Sequence, residues 1–95
     1  SRRYSYAEIR RLIEQRKEMG WEFIFLGANI DAIGAAADIG IDASRASNFY
    51  ADQAGINANF SSVSSAMSMM RGQGKVSEDW KKELDEDEAR RKKGK

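Results

Sequence analysis

Trp21-Glu22-Phe23-Ile24-Phe25-Leu26-Gly27-Ala28-Asn29-Ile30-Asp31 is the stretch that decides how this chain folds. Trp21–Leu26 is almost continuously apolar and rich in β-formers. A strand with one wet face would alternate, so the run predicts a strand covered on both sides, as in a parallel sheet. It is far too short to span a membrane.

Upstream, Ser5-Tyr6-Ala7-Glu8 has the spacing of a capping box. Ile9, Leu12, Ile13, Arg16 and Met19 follow at helical intervals and Gly20 closes the pattern, which predicts a helix over 5–19. Downstream, the alanine-rich segment 31–39 predicts a short helix ending at Gly40. Asp42–Ser47 reads as a turn into a second strand at 46–50. Asp52 can cap a last helix whose Ile56, Phe60, Val63, Met67 and Met70 form the expected core seam, up to Gly72. The other faces of that helix are polar without being charged.

The order helix-strand-helix-strand-helix points to an α/β layered fold, a partial doubly wound sheet with parallel strands and right-handed crossovers. Two strands leave both sheet edges open. The expectation is therefore the carboxyl-terminal part of a larger sheet, completed by further sequence or by another chain. The globular part is expected at 4–72. Residues 73–95 carry 8 basic and 7 acidic groups and read as a flexible joint with a charged, helix-capable tail. In that tail Val76, Trp80 and Leu84 are four apart, while Asp87/Arg91 and Glu88/Lys92 are placed to pair. Trp80 and Leu84 are the candidate contacts for a protein partner, set against the plainer reading of a frayed extension.

Composition narrows the chemistry. The 95 residues include 16 Lys+Arg and 15 Asp+Glu, a net charge of +1, with no cysteine and no histidine. That excludes a disulfide framework, a thiolate metal site, a cysteine nucleophile and the usual general base. Arg2, Arg3, Arg10 and Arg11 make a small basic patch diluted by Glu8 and Glu14, so neither nucleic acid nor a membrane is an expected partner. With no basic-then-apolar leader, the expected location is cytoplasmic. Gly72-Gln73-Gly74-Lys75 lacks the glycine and hydroxyl of a phosphate loop.

In open parallel sheets ligands collect beyond the carboxyl ends of the strands. Asn29 and Asp31 stand there as ligand or rim candidates, able to offer oxygens to a hard cation such as Mg²⁺ or hydrogen bonds to a small ligand. The competing reading makes Asn29 a turn residue and Asp31 a helix cap.

Gly20 through Ala32, together with Tyr4–Tyr6, Ile39-Gly40-Ile41, Asn48–Asp52 and the helix marked by Ile56, Phe60, Met67 and Arg71, resembles the carboxyl-terminal half of von Willebrand factor A (vWA)-like domains. The bacterial and phage-type members are the nearer likeness, and Phe23–Ala32 is its most specific element. The resemblance implies a doubly wound α/β domain devoted to protein recognition rather than catalysis. It also implies a metal-ion-dependent adhesion site built from an Asp-x-Ser-x-Ser motif, a Thr and an Asp-Gly turn. None of the three is present, so no metal ligand is assigned here, no cofactor is expected in this chain, and Mg²⁺ would require the missing upstream half.

The expectation is thus a non-enzymatic, protein-binding fragment of a vWA-like domain. Its partner would be another protein or the N-terminal half of the same domain. The alternatives are a nucleotide- or small-ligand-binding unit using loop 27–31, and an assembly protein whose sheet is completed by another chain, a homo-oligomer included.

Overall fold

The computed structural model describes residues 5–28 and 31–94. Among them, helix α1 (Tyr6–Glu18) leads to strand β1 (Phe25–Ala28), helix α2 (Ala32–Asp38), strand β2 (Ala46–Phe49), the long helix α3 (Gln53–Gln73) and helix α4 (Lys82–Lys93). The two strands are parallel, with Phe25 opposite Ala46 and Ala28 opposite Phe49. The chain is therefore α/β and mostly helical. No described helix is long and apolar enough to cross a membrane.

Local chemistry sets the start of α1. The Ser5 hydroxyl accepts from the Glu8 N–H, and the Glu8 carboxylate accepts from the Ser5 N–H, each at 3.2 Å. Gly20, at φ +94°, turns the chain out of the helix. Arg10 donates to the carbonyls of Ala37 and Asp38, and Lys17 to that of Gly40. Two cations of α1 thus satisfy carbonyls at the carboxyl end of α2, where the helix dipole favours them.

The β1 run is covered on both faces, as its continuous apolarity predicts. Phe23 and Phe25 join Ile13, Ala36, Ile41 and Ala46 in one core, under α1 and α2. Ile24 and Leu26 join Ala58, Ala66, Val76, Trp80 and Leu84 in the other, under α3 and α4. The strand itself lies later than the expected 21–26. Pairing starts only at Phe25, because its partner β2 starts at Ala46. Trp21–Ile24 has strand-like sequence but forms no strand among the described residues.

The carboxyl-terminal segment departs most from expectation. Gly74, at φ +73°, ends α3 rather than opening a flexible joint, and its N–H donates to the Met70 carbonyl at 3.0 Å. Beyond it Val76, Trp80 and Leu84 are buried, and α4 packs on α3 and β2. Trp80 is completely buried. Its Nε1 donates to the Ser44 carbonyl at 2.7 Å. A charged outer surface conceals one apolar stripe that completes the core.

The face α3 buries also differs from the expected seam. Gly55, Ala58, Ser62 and Ala66 are buried, whereas Ile56, Phe60 and Met67 are exposed. Small residues win the inner face because the helix approaches the backbone closely: a Cβ on Gly55 would overlap the Tyr50 carbonyl. Of the expected seam, Ile56, Phe60 and Met67 are displaced to the flank, while Met70 stays partly buried against the core.

Candidate functional site

At the carboxyl end of the sheet, Asp31 caps α2, its Oδ1 accepting from the Gly34 N–H at 3.1 Å. A Cβ at Gly34 would overlap that carboxylate, which accounts for a glycine inside this helix. From β2, the Asn48 Oδ1 accepts from the Ala32 N–H at 3.1 Å and ties the helix start to the neighbouring strand. Asn29, the other candidate in this loop, lies outside the described residues. Asp31 therefore works as a cap, and no group of three or more His, Cys, Asp or Glu is placed to hold a metal ion among the described residues.

The densest polar cluster of this end lies beyond β2. Asp52 caps α3 through the Gly55 N–H at 2.9 Å and accepts two guanidinium bonds from Arg91, at 2.7 and 2.6 Å. Arg91 also donates through Nε to the buried Asp87 at 2.9 Å and lies 4.1 Å from the Tyr50 ring centroid. The Arg91 hydrogen bonds, aided by the Gly55 N–H, lower the Asp52 carboxyl from the ordinary 3.8 to about 2. The hydrogen bonds that Arg91 donates to Asp52 and Asp87 in turn push its guanidinium up. The cluster is a clasp: a forked donor with matched acceptors and a cation on an aromatic face, fastening α4 to the loop after β2.

A second fastening lies at the amino end of the strands. Glu22 accepts from Arg45 Nε at 3.0 Å and from the Val76 N–H at 3.3 Å. Burial pushes the Glu22 carboxyl up, but the bonds from Arg45 and Val76, with the charges of Arg45 and Lys17, outweigh it and leave the group below 4.5. Lys81 bridges the carbonyls of Ala43 and Ala46 at 3.0 and 2.9 Å. A cleft of about 210 Å³ remains here, lined by Lys17, Glu22, Phe23, Ile41, Asp42 and Arg45.

Trp80 and Leu84, expected as partner contacts, are buried in this chain's own core, so neither is a surface anchor. Apolar side chains are left uncovered on α1 and just after it, at Leu12, Met19 and Trp21, and along the flank of α3. Gln53–Met70 contains no charged residue in a chain that is 33% charged, yet Phe60 is 66% and Met67 54% exposed. Beside it a groove of about 620 Å³ runs along Ser61, Ser64 and Ser68 toward Glu83 of α4. The seam's spacing revealed these apolar residues. Only tertiary packing shows that they face outward.

Compared with known proteins, the chain matches no family model, no curated protein and no solved structure.

Proposed function

We propose that the chain is a non-enzymatic protein-interaction unit, part of a vWA-like α/β domain whose sheet extends beyond these residues. The observation that carries this reading is the charge-free outer face of α3, with Ile56, Phe60 and Met67 exposed. Loss of charge and enrichment in large apolar side chains characterise the centre of protein interfaces, and monomers rarely leave such patches bare. The parallel helix-strand alternation and the vWA-like run Phe23–Ala32 agree with it. An adhesion-site Mg²⁺ would need donors from outside the 95 residues, with Asp31 no closer than the rim.

The rival is a nucleotide or small-ligand site in loop 27–31. Asp31 already serves as a cap, which leaves that rival little chemistry. Calorimetric titration of ATP and GTP, with and without Mg²⁺, is expected to show no saturable binding. Saturable binding that disappears in Asp31→Ala, with helix content retained, would overturn the interaction reading.

A further inference from the structure

Helices α3 and α4 run antiparallel: Arg91, near the end of α4, bonds Asp52 at the start of α3, while Glu83, in the first turn of α4, shares a groove with Ser61 and Ser68. That groove of about 620 Å³ adjoins a second of about 290 Å³ at Ala54, Asn57 and Ala58, and Ser61 and Glu83 line both. Arg90 also lines the second. Helix α3 brings no charge to either groove, so the charges along them, Glu83 and Arg90, belong to α4. These two lie two turns apart on one face of α4, about 10 Å along its axis. The charge of α4 is segregated in the same sense. Residues 83–88 include five acids and no base, and residues 90–93 are four bases. Within the chain Asp87 pairs with Arg91, and Glu88 with Lys92. Glu83 has no ion pair among the described residues. Arg90 meets Asp87 only at 3.5 Å, with its side chain 66% exposed.

Polarity identifies what fits on this face. A uniformly acidic or basic partner would be attracted by one half of α4 and repelled by the other. The surface that matches carries the same segregation in reverse over the same length. A second copy of this chain, turned end for end, presents it. A two-fold axis over the groove, midway between Glu83 and Arg90, sets each Glu83 opposite the partner's Arg90. Small side chains of α3 floor the grooves and allow close approach, and Phe60, exposed at the rim, gains cover. We propose that the α3–α4 face is an isologous dimer interface, with its register set by two Glu83–Arg90 pairs between copies and its centre by the uncharged groove along α3. The macrodipole of α4 also favours acids first and bases last. Stabilisation within one chain, however, predicts no pairing between chains. The inference rests on the reading of the uncharged surface of α3 as an interaction face.

Sedimentation equilibrium of the full chain, from about 1 to about 500 µM, is expected to show a monomer passing into a dimer. Its dissociation constant should rise about tenfold between about 50 and about 500 mM NaCl, as the pairs are screened. Glu83→Arg alone and Arg90→Glu alone each set like charges against one another and should weaken the dimer about tenfold or more. Mixed in equal amounts, the two variants should associate again, because both contacts of the mixed dimer are once more Arg against Glu. Both positions are exposed, and circular dichroism verifies that the variants fold. A wild type still monomeric at about 500 µM would overturn the proposal. So would a dimer that survives both reversals, which would place the interface elsewhere, or weakened variants whose mixture stays monomeric. The ATP and GTP titrations remain a separate measurement: saturable binding would defeat the interaction reading, whereas a persistent monomer defeats only the second copy as occupant.

Discussion

At the residue scale, the Asp52–Arg91 clasp gives the fold a specific acid sensitivity. The Asp52 carboxyl sits at about 2 in the folded chain against an ordinary 3.8. A depressed folded value stabilises the native state above the unfolded value, and that contribution fades as pH falls through the folded one. The window is therefore about pH 4 down to about pH 2. Arg91→Gln removes the two forked bonds and the charge on the Tyr50 ring. The wild type should exceed this variant in stability at neutral pH, and the gap should narrow across that window. Urea titrations at several pH values measure it, and a gap independent of pH would show that Asp52 is not the partner that counts. Glu88 and Lys92 pair at 3.3 Å on the open face of α4, where water and salt screen them, so breaking that pair should change stability little.

At the element scale, the segment 76–93 decides whether the α3 side of the sheet has a core. Trp80→Ala removes its largest side chain and the bond to the Ser44 carbonyl. The expected cost in urea unfolding is about 3–5 kcal/mol. A loss below about 1 kcal/mol would mean that the segment is only loosely attached. The four-residue spacing of Val76, Trp80 and Leu84 was legible in the sequence, as were the Asp87–Arg91 and Glu88–Lys92 pairs. What they pack against was not, because Asp52 lies 39 positions from Arg91 and Ser44 lies 36 from Trp80. The capping box of α1 and the caps Asp31 and Asp52 were readable because each is a contact over three residues. The α3 seam shows the limit of periodicity: it finds a face that needs cover, whereas close backbone approach at Gly55 decides which face meets this sheet.

At the scale of the whole molecule, the chain is more open than its size requires. A folded monomer of 10.7 kDa exposes about 5,500 Å², whereas this chain exposes 6750 Å². A compact chain of 95 residues has a radius of gyration of about 12 Å, and the value here is 14.4 Å. Thin cores follow from the same geometry: among the described residues, each face of the two-stranded sheet gathers only four or five buried hydrophobic residues, alanines among them. Stability in isolation should accordingly be low. At micromolar concentration the 95-residue chain is expected to melt at or below about 45 °C, the bottom of the usual range for mesophilic domains. It should also bind an apolar dye such as ANS through the exposed flank of α3. Phe60→Lys with Met67→Lys should remove most of the dye signal without lowering the midpoint, since both side chains are already more than half exposed. A monomer that instead unfolds in one sharp transition above about 60 °C, with no dye bound, would show that two strands and four helices suffice and that the flank needs no cover.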